Sequence, residues 1–244
     1  MGYCRLTTLR SSRTLQLIMI DALIFDVDGT LAETEECHRR AFNGAFAEAS
    51  LDWFWGVELY RDLHRVTGGK ERMRHYADRR GCAPSEFRDD DIERIHARKN
   101  VRYAEMVQAG GCPLRPGVER LIQTSRAQGL RLAICTTTSR VNIDELVAAT
   151  LGAEGLRLFE AIVSGEDVRE KKPAPDAYLR VVEALGLHPR SCLAFEDSRN
   201  GLLAARAAGL DVIVTPSLYT SHEAFDGATL VLPDLSGFDL PMIA

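Results

Sequence analysis

Two carboxylates and a hydroxyl follow a short apolar run near the beginning of the chain. Residues 22–25 read Ala-Leu-Ile-Phe, and Asp26, Asp28 and Thr30 come directly after them. Such a run predicts a buried strand, and because side chains alternate along a strand, the two carboxylates leave it on the same side. Two carboxylates this close repel each other unless a cation lies between them or one of them is protonated. The spacing therefore predicts a site for a hard metal ion, a shared proton, or both.

Polar groups also follow three later apolar runs. The run that ends at residue 135 is followed by Thr136–Ser139. The run near residues 160–163 is followed by a loop that ends in Lys171-Lys172-Pro173, and the run near residues 192–195 is followed by Glu196-Asp197. Taken singly, these are ordinary features: a helix N-cap, a solvated lysine pair, and acids favoured by a helix dipole. Because sites in open parallel sheets form beyond the carboxyl ends of the strands, their joint occurrence at strand ends indicates one shared site.

This combination of groups favours phosphoryl transfer. Mg²⁺ prefers oxygen ligands, and the carboxylates would supply them. Lys172 and the hydroxyls of Thr136 and Thr137 would neutralise and hold the phosphoryl oxygens. No Ser–His or Cys–His pair follows these strands, so Asp26 is predicted to be the nucleophile, through an aspartyl-phosphate intermediate. Asp28 would protonate the leaving oxygen and then deprotonate the attacking water.

The apolar pattern divides the chain into a strand, a helical block and an alternating region. Residues 34–110 predict helices and no strand, with the first helix beginning near Thr34, a residue type suited to an N-cap. After residue 112, strands are predicted near 130–135, 160–163, 192–195, 211–214 and 229–232, with helices near 117–128, 140–151, 175–186 and 199–208. This alternation predicts an α/β fold, in which a parallel sheet carries helices on both faces and the helical block is inserted after the first strand.

Composition narrows the function classes. The 244 residues carry a formal net charge of −5, and no apolar run approaches the length of a membrane helix, so nucleic-acid and membrane partners are not expected. The six cysteines are scattered. Cys135 and Cys192 end apolar runs, which favours buried thiols in a reducing, cytoplasmic setting over a disulfide framework or a zinc site. We also expect the protein to act as a monomer.

Residues 1–18 differ from the rest of the chain. They contain Arg5, Arg10 and Arg13, several hydroxyl residues and no acid. That composition is similar to a transit peptide, but we favour a disordered extension or a misassigned start, with the folded chain beginning near Met19. The predicted division of the remaining chain is a core of residues 19–33 and 111–244 and an inserted helical domain of residues 34–110.

The four segments at the strand ends resemble the four motifs of the haloacid dehalogenase superfamily. The stretches that carry the resemblance are Asp26-Val27-Asp28-Gly29-Thr30, Thr136, Lys172-Pro173 and Glu196-Asp197. The resemblance implies a Rossmann-like core with an inserted helical cap domain, Mg²⁺ as cofactor, and phosphatase or phosphomutase activity. It also implies that Asp26, the backbone carbonyl of Asp28 and Asp197 ligate the metal, with Glu196 assisting.

Further stretches resemble one branch of that superfamily, the CbbY-type phosphatases that act on xylulose-1,5-bisphosphate. They include His38-Arg39-Arg40-Ala41-Phe42, Thr67-Gly68-Gly69-Lys70-Glu71-Arg72 and Lys171-Lys172-Pro173. The resemblance implies dephosphorylation of xylulose-1,5-bisphosphate to xylulose 5-phosphate. Thr34, His38 and Arg98-Lys99-Asn100 are also similar to β-phosphoglucomutase, so a phosphomutase remains an alternative, as does a phosphoglycolate phosphatase.

A bisphosphate substrate would require cations on the cap as well as at the strand ends. Lys70, Arg72 and Lys99 are the candidates for the distal phosphate, although each alone is also typical of a solvated helix face. Glu35 and His38 would bind sugar hydroxyls or position Asp28. The remaining histidines are predicted to be surface residues, and the turn at Arg115 is predicted to have no function; those histidines are His64, His75, His96, His188 and His222.

Overall fold

The structure is a computed structural model that describes residues 20–83 and 87–240. The expectations for residues 1–18 and for a start at Met19 lie outside these described residues. In chain order the elements are β1 (Ala22–Phe25), α1 (Glu35–Glu48), α2 (Val57–Leu63), α3 (Gly69–Arg79), α4 (Asp89–Gln108), α5 (Val118–Ala127), β2 (Arg131–Cys135), α6 (Arg140–Leu151), β3 (Ala161–Val163), α7 (Asp176–Leu185), β4 (Cys192–Glu196), α8 (Arg199–Ala207), β5 (Asp211–Val214) and β6 (Leu230–Val231). Within the described ranges, no helix is both long enough and apolar enough to cross a membrane.

Six parallel strands form one sheet in the order β3-β2-β1-β4-β5-β6. The central strand β1 is buried along its whole length, which explains its continuous apolar run. Leu23 and Phe25 face a cluster shared with α5 and α6, whereas Ala22 and Ile24 face a cluster shared with α7 and α8. Helices therefore cover both faces, and the predicted α/β fold with a Rossmann-like core is confirmed.

Helices α1 to α4 form the helical cap, which is inserted between β1 and α5. They enclose an aromatic cluster in which the Phe46 ring lies edge-on to Trp53 and Trp55, with centroids 5.3 and 4.8 Å away. Both tryptophans are buried while Phe54 between them is exposed, so the tryptophans pack the interior of the cap. The apolar pattern does not predict α2 separately, since its seven residues are too few to show a helical period.

The chain crosses between core and cap twice, and the two crossings lie side by side. Ala32 and Leu114 form an antiparallel bridge, and the backbone N–H of Arg115 donates to the carbonyl of Leu31 at 2.8 Å. The first crossing leads from the end of β1 into α1, and the second leads from α4 into α5. The paired crossings therefore fix where the cap is attached relative to the carboxyl ends of the strands.

Candidate active site

A buried lysine connects the ends of three strands at the floor of the cleft between core and cap. Lys172 Nζ donates to Asp26 Oδ1 at 2.7 Å, to Glu196 Oε1 at 2.6 Å and to the carbonyl of Cys135 at 2.8 Å. Asp26 follows β1, Cys135 ends β2 and Glu196 ends β4. The hydroxyl of Tyr178, on α7, also donates to Glu196 Oε1 at 2.6 Å. The structure thus brings together the predicted residues of three separate segments.

Three carboxylates at this floor fit a hard cation. One oxygen from each of Asp26, Glu196 and Asp197 lies within 4.8 Å of the other two, and all three side chains are buried. Glu196 Oε2 has no hydrogen-bond partner among the described residues, which leaves a buried acceptor to be satisfied. A Cβ on Gly29 would stand 2.3 Å from Asp197 Oδ2, so the glycine is required for the loop to approach this carboxylate.

Burial and mutual repulsion change the proton affinity of these acids. Burial, together with the charge of the neighbouring Glu196, raises the pKa of Asp26 to about 8 against the opposing charge of Lys172. Burial, together with the charges of Asp26 and Glu196, also raises the pKa of Asp197 well above its usual range. A protein normally avoids burying three such acids without compensation, and a divalent cation would stabilise their charged forms.

The side chain of Asp28 points away from that cluster and toward the first turn of the cap. Its Oδ1 accepts hydrogen bonds from Thr34 Oγ1 at 2.5 Å and from His38 Nε2 at 3.0 Å. Thr34 occupies the N-cap position of α1, but its hydroxyl holds Asp28 and makes no capping bond. Oδ1 of Asp28 is therefore held by the cap. The family resemblance implies that this residue would meet the metal through its backbone carbonyl.

The protonation states of this pair follow from their surroundings. Burial and the charge of Lys99 lower the pKa of His38, so its ring is neutral and its Nε2 carries the hydrogen donated to Asp28. Burial favours the neutral form of Asp28, but the His38 and Thr34 contacts outweigh it and lower the pKa of that carboxyl. The His38 ring is stacked on Tyr103, with centroids 4.1 Å apart, which fixes its orientation.

Two adjoining cavities occupy the cleft. The lower one, of about 60 Å³, is lined by Asp26, Lys172, Asp197 and the Thr136–Thr137 pair. The upper one, of about 380 Å³, is lined mainly by the cap, and Thr137 and Asp28 border both cavities. The predicted phosphate-binding residues thus lie beside the predicted nucleophile. A substrate longer than a single phosphate group would extend from the lower cavity into the upper one.

The predicted cap residues differ in how they are held. Lys99 lies 3% exposed in the wall of the upper cavity, whereas Lys70, on the same wall, is partly exposed and pairs with Glu93 at 2.6 Å. Arg72 borders both cavities and donates to the hydroxyl of Tyr60 at 2.8 Å. These three cations are brought to one cavity as expected, but Lys99 differs in being buried with no carboxylate oxygen of the described residues within 4.0 Å.

Glu35 is the centre of a buried polar network in the cap. Its carboxylate accepts from the Tyr60 hydroxyl at 2.6 Å and pairs with His64 Nε2 at 2.9 Å, with Arg72 3.9 Å away. The prediction that His64 is a surface residue is therefore wrong, because the ring is packed beside Glu35 and Tyr219. Glu35 also borders both cavities, and its carboxylate is held by these contacts.

Two further residues have a place at the site that the sequence does not reveal. His96, predicted to be a surface residue, lines the upper cavity, and burial together with Lys99 and Lys70 lowers its pKa to about 2. Arg115 donates to the carbonyls of Gly29 and Thr215, so it ties the first catalytic loop to the loop after β5. His75, His188 and His222 are exposed, as predicted.

Comparison with known proteins assigns the class to which this fold and site belong. A model of the haloacid dehalogenase-like hydrolases matches residues 20–209, and the chain belongs to this family. The chain is also similar to CbbY of Rhodobacter capsulatus, with 54% identity over 217 residues that cover 89% of this chain and 94% of that protein. The predicted CbbY-like membership of the superfamily is thereby confirmed.

Solved structures support the same assignment. CbbY from Rhodobacter sphaeroides in complex with phosphate gives a TM-score of 0.85 at 45% identity, covering 90% of this chain and 96% of that one. An aspartate-to-asparagine variant of that protein in complex with xylulose-1,5-bisphosphate gives a TM-score of 0.83 at 44% identity, with the same coverage. The chain is therefore a sugar-phosphate phosphatase of the haloacid dehalogenase type.

Proposed function

We propose that the protein removes one phosphate from xylulose-1,5-bisphosphate and releases xylulose 5-phosphate. The similar protein from Rhodobacter sphaeroides has been solved with this bisphosphate bound, and the chain covers almost all of that protein's length. The two adjoining cavities give room for a substrate with a phosphate at each end. The lower cavity would take the phosphate that is transferred, and the upper cavity the phosphate that is retained.

The observation that carries this proposal is the state of Lys99. Its ammonium lies over the rings of Phe42 and Tyr103, 5.2 Å from each centroid, and its nearest hydrogen-bond acceptor is Asn100 Oδ1 at 3.5 Å. Among the described residues no carboxylate oxygen lies within 4.0 Å of it, and burial lowers its pKa to about 8. The charges of Asp28 and Glu35 offset this only in part. A buried cation that no acid contacts is costly unless a ligand supplies the opposite charge. A second phosphate would supply it.

Mg²⁺ is the cofactor that the donor set at the floor of the cleft favours, since it consists of oxygen ligands alone. Asp26, Asp197 and the backbone carbonyl of Asp28 would hold the ion, with Glu196 assisting. When bound, the ion would neutralise charge on the phosphoryl oxygens. The ammonium of Lys172, which is already bonded to Asp26 and Glu196, would act on the same group.

The remaining chemistry falls to the two aspartates at the end of β1. A carboxylate oxygen of Asp26 attacks phosphorus, the bond to the sugar oxygen breaks, and an aspartyl phosphate forms. Asp28 must carry a proton at the start of this step, although its surroundings lower its pKa. It gives that proton to the leaving sugar oxygen and recovers one from the water that hydrolyses the aspartyl phosphate. Thr34 and His38 both hold Oδ1 of Asp28, so this exchange would use Oδ2.

A comparison of two substrates tests the proposed function. Release of inorganic phosphate from xylulose-1,5-bisphosphate, with a kcat/KM at least about a hundredfold above that for β-glucose 1-phosphate, is the expected result. Formation of glucose 6-phosphate from β-glucose 1-phosphate without net phosphate release would instead show a phosphomutase. A preference for phosphoglycolate would contradict the role given to the upper cavity, since that substrate carries only one phosphate.

The oligomeric state, the compartment and the domain bounds of the enzyme are also proposed. We propose that it acts as a single chain in the cytoplasm, with a core of residues 19–33 and 111–244 and a cap of residues 34–110. The cysteines of the described residues are free thiols, which supports a reducing compartment.

A further inference from the structure

Two buried thiols meet where the chain crosses between core and cap. Cys37, on the first turn of α1, and Cys112, on the second crossing, lie 75 positions apart in sequence, with their Sγ atoms 2.9 Å apart. Cys37 also contacts the carbonyl of Gly111, on the same crossing. Both thiols belong to the apolar cluster on the α5 and α6 face of the sheet, so the surrounding packing holds them together.

We propose that Cys37 and Cys112 form a reversible thiol–disulfide site that ties the two crossings together and slows turnover when it is oxidised. A disulfide bond is about 2.05 Å long, so the sulfur atoms must approach by about 0.9 Å. The bond would close the whole cap into a covalent loop attached at one point. The cap could then no longer move away from the core at this position.

The oxidant is a disulfide of a small thiol, such as glutathione disulfide. Cys37 loses its proton, and its thiolate attacks one sulfur of that disulfide, which forms a mixed disulfide and releases one thiolate. Cys112 then loses its proton and attacks the Cys37 sulfur, which forms the protein disulfide and releases the second thiolate. The protein loses two electrons and two protons, and the oxidant becomes two thiols. Added dithiol reverses the reaction.

The contact between the two cysteines determines which of them reacts first. The hydrogen bond donated by Cys112 lowers the pKa of Cys37 and raises that of Cys112. Cys37 is therefore the attacking thiol and Cys112 the resolving one. Because both are buried, an external disulfide gains access only when the crossings separate, so oxidation would proceed from an opened cap.

The position of Cys37 explains why oxidation would reach the active site. Cys37 directly precedes His38, whose ring holds Asp28. Movement of Cys37 toward Cys112 moves the first turn of α1, which carries both His38 and Thr34. The expected effect is slower proton transfer by Asp28 and slower opening of the cap, and it does not depend on which sugar phosphate is the substrate.

The test uses the full chain and p-nitrophenyl phosphate, a substrate common to phosphatases of this type. After incubation with glutathione disulfide, peptide mapping is expected to show a linked pair containing Cys37 and Cys112, and kcat to fall about tenfold. Dithiothreitol should restore both. The thermal midpoint of the oxidised protein should rise, because the new bond closes a long loop.

Matched variants separate this site from other thiols. Cys82→Ser should behave like the parent chain, whereas the double variant C37S/C112S should keep its turnover under the oxidant. Because Cys4 lies outside the described residues, the measurements are repeated in a Cys4→Ser background. Absence of the linked peptide would overturn the proposal, and so would a linked protein with unchanged turnover. If the double variant does not fold, the peptide map of the parent chain and the recovery of its turnover with dithiothreitol still test the proposal.

Discussion

The floor and the cap wall of the cleft are both rich in charge, but the charges are compensated in different ways. At the floor, Lys172 is bonded to two of the carboxylates around it. On the cap wall, Arg72 and Lys70 have partners on the cap, but Lys99 has no acid within 4.0 Å among the described residues. The floor therefore offers groups that act on any phosphoryl group, whereas the proposed site for a second phosphate on the wall would distinguish substrates.

Under the proposed function, the floor carries out the phosphoryl transfer and the cap wall distinguishes substrates. Loss of a floor group should slow the reaction of every substrate, because each reaction passes through the same phosphoryl transfer. Loss of a wall group should affect only substrates that carry a second anionic group. Variants in the two regions should therefore differ in which substrates they affect, and the following predictions begin with the largest expected effect.

Replacing Asp26 with Asn should reduce kcat at least about 10⁴-fold for the bisphosphate and for p-nitrophenyl phosphate alike, because the nucleophile is lost in both reactions. Steady-state phosphate release measures the effect. Glu93→Gln, which removes an acid from the cap surface, serves as the control. Residual activity above about 1% that is not due to contaminating enzyme would remove Asp26 as the nucleophile.

Replacing Asp28 with Asn should slow phosphate release from a sugar phosphate by about 10²- to 10⁴-fold, which is the usual contribution of a general acid and base. The leaving group of p-nitrophenyl phosphate needs no proton. With this substrate, formation of the aspartyl phosphate should be less affected than its hydrolysis. Phosphorylated protein should then accumulate and be detected by intact mass. A variant that slows both steps equally and accumulates no phosphorylated protein would contradict the two roles assigned to Asp28.

Replacing Lys99 with Ala should raise the KM for xylulose-1,5-bisphosphate about 10- to 100-fold, the range expected for loss of a charge-assisted hydrogen bond. The kinetics of p-nitrophenyl phosphate should change less than about threefold. Paired initial-rate measurements on the two substrates give this ratio directly. Equal losses on both would show that Lys99 supports the fold of the cap and does not recognise a second phosphate.

The pKa of Lys99, lowered to about 8 by burial, predicts how binding depends on pH. A lysine is charged below its pKa, so the KM for the bisphosphate should rise as the pH increases through about 8 to 9. In Lys99→Arg the guanidinium stays charged over that range, and the rise should disappear. A rise of the same size in both proteins would assign the titration to another group.

Replacing Lys70 with Ala should have the smallest effect, a rise in KM for the bisphosphate of less than about fivefold. Lys70 is already paired with the exposed Glu93, and such surface pairs contribute little. The Lys70 and Lys99 variants are compared on the same two substrates. A larger effect at Lys70 than at Lys99 would reverse the assignment of the main distal cation.

The sequence predicts the positions of the floor residues better than it predicts the environments of the cap residues, for a physical reason. Asp26 follows β1, Glu196 ends β4 and Lys172 lies in the loop after β3, and the topology of a parallel sheet brings strand ends to one edge. The environments of His64 and His96 depend on packing between helices that are distant in sequence. A lone histidine carries no local signal for that packing. That no acid in residues 20–83 and 87–240 lies within 4.0 Å of Lys99 is equally a tertiary property.

Boundaries of the core elements are predicted well. The predicted strands and helices of the core agree closely with the structure, although β3 has 3 residues and β6 has 2. The role of Arg115 is hidden in the sequence, since the carbonyls that it binds come from loops elsewhere in the chain. Hydrogen bonds to backbone carbonyls leave no trace in side-chain types.

Tyr219, which belongs to the loop after β5, is a buried member of the aromatic cluster of the cap. Its ring lies edge-on to Tyr60, with centroids 5.3 Å apart, and its hydroxyl donates to Glu36 at 2.6 Å. A fragment made of residues 34–110 would thus lack one side chain of its own interior. For a chimera that carries this cap on another core, the unit to transplant is the helical insertion together with the loop around Tyr219.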